Sequence, residues 1–132
     1  MILSFETETI PFVVTVSPST RTTLSTPPFE EDARIPVVEY FPLINERDVE
    51  ITFWETEFVI GDDVDPLRVG SKILGSQYTP DDGVPIFVGD GSPKTIYLNA
   101  TIPKGKRFAV SFNNTNTTHE RPMDLLIHKE VK

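Results

Sequence analysis

The 132 residues contain no cysteine, which excludes disulfides and thiolate metal centres and leaves an apolar core to supply stability alone. Histidine occurs only at 119 and 128, so no pair stands at the i, i+4 spacing of a helical metal site. Without cysteine, and without a G-x-S-x-G elbow, nucleophile chemistry has no seat. No run approaches the roughly 18 apolar residues of a membrane-spanning helix. The opening "MILSFETETI" lacks the basic and apolar regions of a signal peptide. These absences predict a chain that is not an enzyme, carries no cofactor or metal, and stays in the compartment where it is made.

Charge of one sign is also scarce. Twelve bases stand against twenty acids, a net charge of −8, which repels phosphate backbones and anionic lipid and so predicts neither nucleic-acid nor membrane partners. The bases cluster late: residues 1–66 hold 14 acids and 3 bases (−11), residues 67–132 hold 6 acids and 9 bases (+3). Two readings follow from that split. Either the charges intermingle on one folded surface, or the acidic half of one copy meets the basic half of another.

Alanine is rare too, at 3 residues, whereas Val, Ile and Thr number 13, 11 and 15. β-branched residues fit a pleated surface better than a helix. Twelve prolines leave 43–65 as the one long proline-free window, occupied by "VEITFWETEFVI" (49–60), with apolar residues on both faces. Further strands are predicted at 2–7, 12–17, 35–41, 67–74, 84–88, 94–102, 107–112 and 124–131. Between them, "GDDVDP", "TPDDG", "GDGSP" and "PKG" supply turn chemistry. The prolines forbid the helical crossovers of a parallel sheet. The fold class is therefore all-β, a single antiparallel β-sandwich or jelly-roll of about eight to nine short strands over residues 1–132.

Two segments depart from strand patterning. The first, within 17–32, is Ser/Thr/Pro-rich without sustained alternation, a composition that solvates well and suits either a long surface loop or an extended arm over a neighbouring subunit. The second, "FNNTNTTHERP" (112–122), reads as a hairpin tip of about nine residues where two would suffice. The candidate partner-binding residues are accordingly Thr20, Arg21, Thr22, Thr23 and Leu24 in the arm and Asn113, Asn114, Asn116, His119, Glu120 and Arg121 in the loop. Other constellations carry less. The Asp-rich turns (Asp62, Asp63, Asp65, Asp81, Asp82, Asp90) serve as Asx-type turns or, gathered at one end, as a calcium site. A sugar platform would rest on Tyr78, since Trp54 shares a face with Phe58 and Ile60 and reads as core. The sequons at Asn99, Asn113 and Asn116 are expected by chance in so Asn- and Thr-rich a chain.

The second half, "SKILGSQYTPDDGVPIFVGDGSPKTIYLNATIPKGKRFAVSFNNTNTT", resembles in its phrasing the small jelly-roll decoration, or cement, proteins of tailed-phage capsids, and also modules of phage fibres. The resemblance implies an all-β protein without cofactor, made in the host cytoplasm and located on the virion surface. Its partners would be the major capsid protein and further copies of itself, as a homo-oligomer such as a trimer. A carbohydrate- or receptor-binding module of a fibre or tail is the alternative it implies. No individual functional residue carries over.

Overall fold

The computed structural model describes residues 6–43, 48–74, 87–88 and 92–131. The strands are β1 (Glu6–Val16), β2 (Arg21–Ser25), β3 (Ala33–Pro42), β4 (Val49–Thr56), β5 (Lys72–Leu74), β6 (Phe87–Val88), β7 (Lys94–Ile102), β8 (Arg107–Asn114) and β9 (Arg121–Val131), with one 3-10 turn, η1, at Pro66–Val69. One sheet runs β1-β9-β3-β7, the other β2-β8-β4-β5, and β6 also lies along β4. All pairings are antiparallel. First pairs with last (β1 with β9), second with second-last (β2 with β8), third with third-last (β3 with β7), and the chain folds back on itself at β4 and β5. This nested order in two facing sheets is a jelly-roll.

Period-two patterning drives it. Along β7, Ile96, Leu98, Ala100 and Ile102 are buried while Thr95, Tyr97, Asn99 and Thr101 face solvent. Ile35, Val38, Tyr40, Leu125 and Ile127 line the same inner face from β3 and β9, and Ile51, Phe108, Val110 and Phe112 meet it from the facing sheet. Each such side chain contributes roughly 1.5–3 kcal/mol by leaving water. Two strand prolines fall where a ladder tolerates a missing N–H. Pro11 sits on the edge strand β1. Pro36, in the interior strand β3, lies at a bulge where the register with β7 jumps from Ile35↔Ala100 to Val37↔Tyr97. Asn99 absorbs that irregularity with a positive φ of 50°. At the β7–β8 corner Gly105, with φ 87°, occupies the position of a type II turn that requires it, closed by the Lys106 N–H donating to Pro103 O at 3.1 Å.

Several expectations are corrected. The strands predicted at 2–7 and 12–17 are, over the described residues, one strand, β1. The strand predicted at 67–74 is η1 followed by only three strand residues. Asp65 caps η1 by accepting from the Leu67 N–H at 3.0 Å, and Pro66 begins it, a start signal that outweighs the apolar content of "PLRV". The stretch read as an arm is loop at its two ends and strand in its middle: Arg21–Ser25 forms β2, because Thr suits a pleat and Thr22 and Leu24 pair opposite the core residues Phe112 and Val110.

β4 is buried on both faces, and the second burial has its own cause. Val49, Ile51 and Phe53 face the sandwich core. Trp54 is only 3% exposed yet lies outside that core cluster, sharing its outward face with Thr52, Thr56, Ala109, Ser111 and Thr23, all buried. The segment 57–71 covers this face as a flap. It reaches the β2 edge, where the Asp63 N–H donates to Arg21 O at 2.8 Å and the Arg21 N–H donates to Asp63 Oδ1 at 2.9 Å. It returns at Ser71, whose hydroxyl bonds Thr56 Oγ1 at 3.1 Å. Ile60 and Pro66 are buried beneath it. The indole N–H of Trp54 is satisfied by Ser111 Oγ at 2.9 Å. Trp54 is thus core, as its pattern suggested, but of a small second core outside the sandwich, and Phe58 does not share it.

Nested pairing bears out the first of the two charge readings. Strands from the acidic half necessarily lie beside strands from the basic half, so their charges meet within one molecule: Arg121 with Asp48, Lys129 with Glu8, Lys106 with Glu57 and Arg34 with Glu130. The halves intermingle.

Candidate functional site

The two segments singled out by composition come together. β2 pairs with β8, setting Arg21 opposite Asn113, and the Asn114 N–H donates to Thr20 O at 3.0 Å. The 115–120 connection is not a hairpin tip, because β8 and β9 belong to different sheets. It crosses the sandwich beside the β1–β2 connection and Asp48.

A polar latch fixes that crossing. Asn114, 1% exposed, donates from Nδ2 to Val16 O at 3.1 Å, Ser17 O at 3.2 Å and His119 O at 3.0 Å. Its Oδ1 accepts from the Asn116 N–H at 3.0 Å. Asn116 Oδ1 in turn accepts from the N–H groups of Thr118 and His119 at 2.9 and 2.8 Å, while its Nδ2 donates to Asp48 Oδ2 at 2.9 Å. Asp48 completes the latch: Arg121 grips it with Nε on Oδ1 at 2.8 Å and Nη2 on Oδ2 at 3.0 Å. Thr115 donates both its N–H and its hydroxyl to the Asp48 carbonyl, at 2.9 and 2.7 Å. Asn and Thr are plentiful here because short polar side chains can bond backbone groups two or three residues away. What remains outward is the tip, with Thr117, Thr118, His119 and Glu120 exposed.

Placement therefore divides the candidates. His119 and Glu120 stand in solvent, whereas Asn114, Asn116 and Arg121 hold the loop, and Asn113 donates to Glu50 at 3.2 Å. In the other segment none of the five is exposed. Thr20 bonds Pro18 O at 3.0 Å, Arg21 is tied to Asp63 and lies 3.9 Å from Asp65, Thr22 and Leu24 are half-buried, and Thr23 is buried beneath the flap. Asp48 carried no sequence signal, since its partner Arg121 is 73 residues away. The exposed apolar residues of the flap were hidden in stretches that read as strands, 49–60 and 67–74, with Val64 alone in the "GDDVDP" turn. Among the described residues no group of three His, Asp or Glu side chains is placed to hold a metal. Asp63 and Asp65 are spent on Arg21 and on the η1 cap, and Asp81, Asp82, Asp90 and Tyr78 lie outside the described residues.

The Arg121 hydrogen bond, aided by Asn116 and by the guanidinium charge, outweighs partial burial and holds the Asp48 carboxyl below the usual carboxylate range. A group whose folded pKa is depressed contributes stability above its unfolded value of about 3.9 and loses it as pH falls through the folded value. Stability measured by urea unfolding in wild type and Asp48→Asn should therefore differ at neutral pH and converge below about pH 4. A difference that does not shrink on acidification would show that Asp48 acts by shape alone.

No family model matches the chain, and no curated protein matches it. Among solved structures, a chain from the structure of infectious bursal disease virus, Gx strain, is similar over 96% of this chain, at 10% identity and a TM-score of 0.41. This chain spans 31% of that one. At that level of identity no residue role passes from one to the other.

Proposed function

We propose that this chain is a structural protein of a virus particle, of the kind that decorates a capsid and stabilises it by binding the shell, and that the 117–120 tip makes the contact. The observation that carries the reading is the hydrogen-bonded support of an exposed loop tip. A tip held from beneath by Asn114, Asn116, Asp48 and Arg121 presents Thr117, His119 and Glu120 with little conformational entropy left to lose on binding. The jelly-roll is an architecture that capsid and lectin domains use, and the phrasing of the second half adds the resemblance to decoration proteins. Repetition on a lattice would convert a small contact into tight binding. A fibre or tail module that binds carbohydrate or a receptor is the second reading, favoured by the exposed ring of Tyr97 on β7 with Thr95 and Asn99 exposed beside it.

Quantitative mass spectrometry of purified particles separates the two. Decoration predicts a copy number near that of the shell subunits; a fibre part predicts a handful of copies; complete absence overturns both. The combined Thr117→Ala, His119→Ala, Glu120→Ala variant should fold normally, judged by Trp54 fluorescence, and lose at least about tenfold in binding to shells. Undiminished binding sinks the role of the tip.

A further inference from the structure

The flap hides Ile60 and Pro66 but turns five other apolar residues outward: Phe58 at 58%, Val59 at 70%, Leu67 at 55%, with Val64 and Val69 also exposed. Single exposed apolar residues need no explanation, but five within twelve positions of one segment, 58–69, do. Together they offer on the order of 400 Å² of apolar surface, the size of the largest patch on a typical monomer, which is often functional. Phe58 and Val69 also line a cleft of about 230 Å³ walled by Glu55, Glu57, Lys72 and Lys106, roomy enough for one aliphatic side chain.

Charge indicates what covers it. The outgoing leg of the flap, 57–65, carries Glu57, Asp62, Asp63 and Asp65 and no base; the returning leg, 66–72, carries Arg68 and Lys72 and no acid. Glu57 is engaged with Lys106, and Asp63 and Asp65 with Arg21. Among the described residues that leaves Asp62 on one leg and Arg68 and Lys72 on the other without an ion pair. A segment with apolar residues on both legs, acids on one and bases on the other, can be complementary to itself after a half-turn.

We propose that the outer surface of the flap is a two-fold interface between two copies of this chain, with the acidic leg of each against the basic leg of the other. Leu67 of one copy is the knob of suitable size for the Phe58 and Val69 cleft of its partner. Two such patches would bury on the order of 800 Å² of apolar surface, to which the charged rims add toward the roughly 1,000 Å² of a specific interface. The surface is distinct from the 117–120 tip, so either proposal can fail without the other.

Sedimentation of the full chain across micromolar to millimolar concentration should give a dimer, twice 14.8 kDa, that dissociates more readily in high salt. Val59→Asp and Leu67→Asp, both at exposed positions, should each weaken dimerisation by at least about 30-fold while leaving Trp54 fluorescence unchanged. Asp62→Lys and Arg68→Asp should each weaken it, and the double variant should recover much of the loss, because in a two-fold contact the swapped charges meet again. A strictly monomeric chain, a trimer, or a dimer indifferent to Val59→Asp and Leu67→Asp overturns the proposal. So does a monomer whose flap variants lose shell binding, which would assign the flap to the shell.

Discussion

Phe108→Ala is expected to destabilise the protein by about 3–5 kcal/mol, the largest effect of any single truncation considered. The ring is fully buried at 0% exposure, projects inward from β8, and stacks on Phe53 with centroids 6.1 Å apart and planes 22° apart. Its backbone ties β8 to the β2–β3 connection: Thr26 N–H donates to Phe108 O at 2.9 Å, and Phe108 N–H to Thr26 Oγ1 at 3.1 Å. That end of the sandwich is closed nearby by Phe29, which exchanges backbone bonds with Gly105 and Lys106 and lies 4.3 Å beneath the Lys129 ammonium. Because these backbone bonds hold β8 in place, the cavity cannot collapse, and the full cavity cost is expected. Against a typical total stability of 5–15 kcal/mol, midpoint temperature should fall by about 10 °C or more. Urea unfolding followed by Trp54 emission measures it; a loss under 1.5 kcal/mol would mean that the sheets close on the gap.

The fold was legible where one physical rule acted alone. Along "KTIYLNATI" and "RFAVSF" the alternation is clean, so both strands and their inward faces could be read. Proline spacing excluded a parallel sheet. Reading failed where a second rule entered. The patterning of β4 into "EFVI" suggested a longer strand, but Phe58, Val59 and Ile60 belong to a flap whose course depends on Asp63 meeting Arg21, 42 residues away. β2 was hidden because Ser and Thr serve loops and edge strands equally well. For the candidate site, composition located the 112–122 stretch but misjudged its topology. A hairpin needs two strands of one sheet, and no local signal says that β8 and β9 lie in different ones. Nor could sequence distinguish residues that build the loop from those it presents, since that division rests on Asp48.

Asn114→Ala should cost about 3 kcal/mol, second only to the core truncation, although it removes no apolar surface. One buried amide serves four backbone groups: the carbonyls of Val16, Ser17 and His119 and the N–H of Asn116. Its loss leaves several of them without partners at the crossing between the two sheets, each at roughly 1–3 kcal/mol where water cannot enter. Water reaching the outer groups keeps the total near the low end of their sum. Asn114→Asp separates hydrogen bonding from shape. It keeps the size and the acceptor for Asn116 but faces three carbonyls with an oxygen instead of a donor, so it should destabilise at least as much as alanine. If Asp were tolerated, the amide would be filling space and the latch would reside in the Asp48–Arg121 pair. Hydrogen exchange at 115–120 gives the second readout. With the latch intact the amides of Asn116, Thr118 and His119 should exchange slowly, and in Asn114→Ala they should lose protection ahead of global unfolding. If the tip makes the proposed shell contact, the same variant should weaken it at concentrations where the protein remains folded, because an unlatched tip must be ordered anew on binding.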